Sequence, residues 1–256
     1  MIMRKNSKYR TPRLESLENR QLMATDLAFF QSEGTLQQAS VADVSFNAST
    51  GTLNIKGTPG KDRVAINDAG DDSRILVNDQ IVQNVPTKAI RAIRVNLGAG
   101  NDQFDIQYSS RLNPQTVDLF LGAGAGEQVT ISANTIGKLR VDARTSIGTI
   151  IDLKSTTVTD RFFADMGTDY AEDYLGLGSS HVNKLELEMG GGNDRLVLFH
   201  SIVKHADVNL GAGDDQVENH NNSAFRAGTI DGGSGSDFIN ESFRRRGLRI
   251  ASFERR

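Results

Sequence analysis

The residues with the clearest chemical capacity are aspartates that follow closely spaced glycines. Gly190-Gly191-Gly192-Asn193-Asp194, Gly211-Ala212-Gly213-Asp214-Asp215 and Gly232-Gly233-Ser234-Gly235-Ser236-Asp237 repeat a Gly-x-Gly-x-Asp phrase, and Gly98-Ala99-Gly100-Asn101-Asp102 is a fourth copy. Gly57-Thr58-Pro59-Gly60-Lys61-Asp62 is a looser one with a residue inserted. Glycine permits the positive φ angles and close backbone approach that turn carbonyls toward a shared ion. A carboxylate with several carbonyls is the oxygen donor set of calcium, which takes six to eight oxygens at about 2.3–2.6 Å. One turn offers too few, so two stacked turns would have to share each ion. Asp194, Asp215 and Asp237 are the candidate carboxylate ligands, with carbonyls near Gly190, Gly192, Gly211, Gly213, Gly233 and Gly235 completing each shell. Asp62 and Asp102 are secondary candidates, since neither has a full motif one repeat away. In Gly122-Ala123-Gly124-Ala125-Gly126-Glu127 a glutamate stands one place late, and this turn reads as a plain corner. The competing reading of all these turns is a metal-free corner in which Asn and Asp cap their own backbone.

Other chemistry is poorly provided for. Cysteine is absent, which excludes disulfides, thiol catalysis and Cys-based zinc sites. His181, His200, His205 and His220 show no metal-ligand spacing, and His200 and His205 read as solvated residues of a connection. Ser179, Ser180, Ser201 and Ser242 have no base and orienting acid arranged around them. Parallel β-helices do carry polysaccharide lyases and hydrolases, but such an enzyme needs paired carboxylates in one groove. Here the carboxylates are spread evenly and no long insertion offers to wall a groove, so the chain reads as non-catalytic.

The elements that position the turns follow from periodicity. Ile93-Arg94-Val95-Asn96-Leu97 leads into one turn and Phe104-Asp105-Ile106 leaves it; Leu185-Glu186-Leu187-Glu188-Met189 and Leu196-Val197-Leu198 repeat the arrangement. Alternation at period two marks strands with one buried face. Val95, Leu97, Phe104, Leu119, Leu121, Val129, Leu187, Val208 and Val217 are expected to point inward, and Asp105, Asp118, Asp142, Glu186, Glu188 and Asp207 outward. A strand-turn-strand unit cannot bury its apolar face alone, and stacking on neighbours makes one core. The turn aspartates recur 21 and 22 residues apart, and the 40-residue interval from Asp62 to Asp102 reads as two coils, which gives about nine. The expectation is an all-β chain forming a single right-handed parallel β-helix or β-roll-like solenoid over residues 36–252, with a basic segment at 1–35 that is helical or disordered and a basic tail at 253–256. No stretch keeps the three-and-four spacing of a helical bundle.

Charge is unevenly placed. Residues 1–20 and 244–256 hold 12 of the 29 basic residues and 3 of the 32 acidic ones, so the body is acidic. An acidic folded face excludes nucleic acid as a partner. No apolar run reaches the roughly 18–20 residues of a membrane-spanning helix, and residues 1–30 lack the apolar core of a standard signal peptide. The Arg244-Arg245-Arg246 run reads as a solvated face that could touch an acidic surface polymer.

Two resemblances bear on function. The Gly-x-Gly-x-Asp turns, above all Gly232-Gly233-Ser234-Gly235-Ser236-Asp237-Phe238-Ile239-Asn240, resemble the hemolysin-type (RTX) calcium-binding repeats. That resemblance implies calcium in a β-roll, folding coupled to calcium outside the cell, and export. RTX turns recur every nine residues on alternating sides, whereas these recur every 21 to 25 on one side, which favours a wider β-helix. Residues 13–24, from Arg13-Leu14-Glu15-Ser16-Leu17 to Ala24, are similar to the LEPR-XLL motif of large bacterial surface proteins, with Asn19 and Met23 departing from it. This implies a secreted or cell-surface location and contact with surface polymers or other surface proteins.

Overall fold

The computed structural model describes residues 43–69, 72–107, 111–132, 134–240 and 247–254. The 13–24 segment, the basic segment 1–35 and the Arg244-Arg245-Arg246 run lie outside the described residues.

The chain opens with a hairpin of β1 (Asp43–Asn47) and β2 (Thr52–Lys56). An antiparallel meander follows, made of β3 (Arg63–Ala69), β4 (Asp72–Val77) and β5 (Gln80–Pro86). After a 3-10 turn at Thr87–Ala89 the strands come in pairs: β6 (Ala92–Asn96) with β7 (Gln103–Ile106), β8 (Thr116–Phe120) with β9 (Ala125–Ser132), and β10 (Thr135–Asp142) with β11 (Ile147–Lys154). Then come β12 (Thr157–Asp165) with β13 (Tyr174–Gly178), β14 (His181–Glu188) with β15 (Arg195–Phe199), and β16 (Ile202–Asn209) with β17 (Gln216–His220). The short β18 (Ala224–Phe225), β19 (Gly228–Asp231), β20 (Phe238–Ile239) and β21 (Leu248–Ala251) end the series.

The first member of each pair stacks in one sheet, ordered β1-β2-β6-β8-β10-β12-β14-β16-β19-β21, and the second in another, ordered β20-β17-β15-β13-β11-β9-β7-β3-β4-β5. Apart from the opening hairpin and the meander, every pairing is parallel. The fold is a parallel β-solenoid of about seven turns, not nine. One coil of the excess has a definite origin. β2 pairs directly with β6 and β3 with β7, so Asp62 and Asp102 stand on adjacent coils, and the β4–β5 excursion takes up the extra residues between them. That excursion is also the insertion the sequence did not reveal; it extends the second sheet instead of walling a groove.

The interior is built by stacking like on like. Ile93, Val117, Leu139, Phe162, Leu185 and Ala206 lie in register on successive coils, as do Val95, Leu119, Val141, Ala164, Leu187 and Val208. All are buried, and each coil hides its apolar face on the next at the strand spacing of about 4.8 Å. The inward expectation thus holds for every residue named above. Of the outward set, Asp142 is nearly covered, because the guanidinium groups of Arg140 and Arg144 lie on its carboxylate at 2.9 and 2.8 Å. His205 lies within β16 and not in a connection.

On four successive coils one corner is sealed by hydroxyls, at Thr156, Ser180, Ser201 and Ser223. Ser155, Ser179 and His200 take positive φ, and the next residue in each case is a buried Thr or Ser. Backbone N–H groups of Thr156, Ser180 and Ser201 donate to the Oγ of Ser180, Ser201 and Ser223, one coil on, at 3.1, 2.8 and 2.9 Å. The hydroxyls of Ser180 and Ser201 donate in turn to carbonyls of Leu153 and Leu177. Among the described residues no helix is long and apolar enough to cross a membrane.

Candidate metal centre

The opposite corner, where a first-sheet strand turns into a second-sheet strand, carries the Gly-x-Gly-x-Asp phrases. Gly190, Gly192, Gly211, Gly213, Gly233 and Gly235 all have positive φ. Successive turns lie so close that a Cβ on Gly213 would sit 1.7 Å from the carbonyl oxygen of Gly192, and one on Gly235 would sit 1.8 Å from that of Gly213. Glycine is required there to stack carbonyl-bearing backbone on backbone.

Two ladders of side chains clip these turns together, and they run in opposite directions. On the outer side, Oδ1 of Asn193 accepts the N–H of Asp214 at 2.9 Å and Oδ1 of Asp214 accepts that of Ser236 at 2.9 Å, each reaching toward the next coil. On the inner side the motif aspartates reach back. Oδ1 of Asp215 accepts the N–H of Asp194 at 2.8 Å, and Oδ1 of Asp237 accepts that of Asp215 at 2.9 Å. The inner ladder continues beyond the motif: Asp194 accepts from Asp173, Asp173 from Thr149, Glu127 from Asp102 and Asp102 from Asp62. Asp62, at the far end, turns Oδ2 to the N–H of Thr58 in its own turn.

The result is a buried column: Asp62, Asp102, Glu127, Thr149, Asp173, Asp194, Asp215 and Asp237, each at most 2% exposed. In every carboxylate of the column one oxygen holds a backbone N–H and the other is buried with no partner. Burial raises four of these acids well above the usual carboxylate range, Glu127 and Asp173 to about 7, Asp194 to about 8 and Asp215 to about 6. Backbone N–H groups pull the other way, and the negative charge of column neighbours adds to the rise. Asp102 and Asp237 are raised by burial as well.

Of the residues singled out by sequence, Asp194, Asp215 and Asp237 stand in register on three consecutive coils. Asp62 and Asp102 also fall in the column on adjacent coils, so Asp62 does have a full motif one coil away, in the turn of Asp102, while Asp102 has the looser turns of Asp62 and Glu127 on its two sides. Glu127, read as a plain corner, is a full member: it pairs in register with Thr149, stands two places before the inward Val129, and its Oε2 accepts the Asp102 N–H. Asp173 and Thr149 were missed because their turns have lost the glycine spacing. The usable signal lies downstream of the turn: each column residue stands two places before the first inward residue of a second-sheet strand, as Asp194 before Leu196 and Asp173 before Leu175.

The donor set fits a hard divalent cation in kind: all oxygen, with orphaned buried carboxylate atoms beside a glycine cradle. Among the described residues no three acidic or histidine side chains converge at metal-binding distance, since the column supplies one acid per coil. Backbone carbonyls would therefore have to contribute heavily to any shell. A groove of about 550 Å³, lined by Glu172, Asn193, Arg195, Asp214 and Phe238, opens against the column at Asp215. Comparison with family models, with curated proteins and with solved structures gave no match to the chain.

Proposed function

We propose that the chain is an exported, non-catalytic repeat protein of the bacterial cell surface or extracellular space, with a structural or adhesive role and calcium held between turns of the 190–240 block. The observation that carries the calcium reading is the split use of each buried carboxylate. An ionised buried oxygen without a donor is costly unless a cation or a proton neutralises it, and Arg195, the cation of the adjoining groove, is held by Glu218. The acidic, cysteine-free body also favours a cation as staple, since bound ions relieve self-repulsion. Export rests on the similarity of residues 13–24 to LEPR-XLL. A metal-free solenoid is the second reading, favoured by the N–H bond that each column acid already accepts.

The deciding experiment is thermal unfolding of the full chain in calcium and in chelator. Binding to the folded state alone adds about 2.7 kcal/mol at a hundredfold excess over Kd, so the melting temperature rises with calcium. Equal melting in both conditions leaves the metal-free solenoid as the better account.

A further inference from the structure

The turn from Gly167 to Asp173 is built differently from its neighbours. It lacks the Gly-x-Gly-x-Asp spacing and carries two carboxylates, the half-buried Asp169 and the buried Asp173. Oδ1 of Asp169 accepts the N–H of Ala171 at 2.7 Å, while its Oδ2 is buried without a partner. Asp173 and Asp194 are both fully buried, and each has a free Oδ2. The charge of Asp169 acts on both of them.

The next coil is shaped to this turn. Residues 99, 123 and 212 are alanines at the centre of their Gly-x-Gly phrases, whereas the corresponding residue over Asp169 is Gly191. A Cβ there would lie 2.5 Å from the carbonyl oxygen of Asp169, and one on Gly192 would lie 1.9 Å from that of Ala171. Position in the column supplies the reason for a second acid. On its other side Asp173 faces Thr149, a neutral residue, so it lacks the second carboxylate neighbour that Asp194 and Asp215 have. Asp169 supplies the missing charge from within the same turn.

We propose that this junction is a calcium site of its own, outside the Gly-x-Gly-x-Asp repeat. Its ligands are the carboxylates of Asp169, Asp173 and Asp194 with the carbonyls of Asp169 and Ala171. It extends the calcium reading above to a turn that the repeat does not reach. The three carboxylates do not converge in this structure, so binding draws Asp169 inward.

The chain lacks Trp, and Tyr170 and Tyr174 flank the site. Terbium, an oxygen-seeking ion that substitutes for calcium, luminesces when excited through a nearby tyrosine. Titrating the full chain with terbium should give saturable tyrosine-sensitised emission that calcium displaces. Asp169→Asn keeps an oxygen for the Ala171 N–H and should weaken the apparent affinity about tenfold or more, with circular dichroism unchanged. Asp237→Asn, three coils along, should leave that emission curve as it is. Tyr170→Phe combined with Tyr174→Phe should remove the emission while retaining bound terbium. The inference is overturned if Asp169→Asn titrates like the wild type, or if wild type shows no saturable emission. Loss of emission in Asp169→Asn, alongside a calcium-induced rise in melting temperature that Asp215→Asn and Asp237→Asn keep in full, would uphold this site and sink the proposal for the 190–240 block.

Discussion

The backbone N–H of Asp194 donates to Oδ1 of Asp215, 21 residues on, at 2.8 Å, and Oδ2 of the same carboxylate is buried with nothing to bind. One side chain therefore does two separable things: it holds the preceding coil, and it presents an uncompensated oxygen to the turn.

Substitution separates the two. Asp215→Ala leaves the Asp194 N–H buried without an acceptor, a loss of about 1–3 kcal/mol, whereas Asp215→Asn keeps an acceptor and removes the charge. In chelator Asn should melt above Ala. Calcium should raise the wild type and lift both variants less. Identical melting of Asn and Ala in chelator would show that the backbone bond contributes nothing.

The raised acids make stability depend on pH with a definite sign. Glu127, Asp173, Asp194 and Asp215 titrate at about 7, 7, 8 and 6 in the folded chain and near 4 when unfolded. Between these limits the folded state holds more protons, so its stability is fully present below about pH 4 and is lost as pH rises toward about 8. In chelator the melting temperature should fall across that window, and Asp194→Asn should flatten the slope. Calcium, by taking the place of the protons, should flatten it too. A melting temperature that climbs from pH 5 to 8 in chelator would contradict the column's electrostatics.

The hydroxyl corner serves as an internal control. Ser201→Ala strips the Ser180 N–H of its acceptor, at about 1–3 kcal/mol, and the loss measured by denaturant unfolding should be the same with calcium as with chelator.

Glycines in the turns differ in what they tolerate. Gly126 has φ of +74° and open space around a prospective Cβ, so Gly126→Ala should lose about 1–2 kcal/mol of backbone strain alone. Gly213→Ala adds a Cβ 1.7 Å from a carbonyl oxygen and should be far more damaging, visible as a lower melting temperature or loss of soluble protein.

Much of the fold was legible because alternation marks a strand wherever it occurs: Leu187 and Val208 declare their inward face without any knowledge of neighbours. Coil number was not, since the residues between Asp62 and Asp102 alternate equally well as a coil and as the β4–β5 hairpin. Of the column, the members behind regular glycines were readable. Asp173 and Thr149 were not, because membership is set by distance to the following strand, and a turn of altered length changes the glycines without moving that strand. Which oxygen of each aspartate is engaged depends on the coil one repeat away, a relation no local spacing encodes.

The opposed ladders have a consequence for how such a chain changes length. In the 190–240 block a coil offers an acceptor to the coil before it through Asp215 and an acceptor to the coil after it through Asp214. A tandem copy of residues 195–215 would bring its own donors and acceptors at both faces and leave those of its neighbours as they were. Gene duplication could thus lengthen the molecule by whole coils, much as a spring gains a turn, while a cut that falls inside a coil would strand half of each ladder.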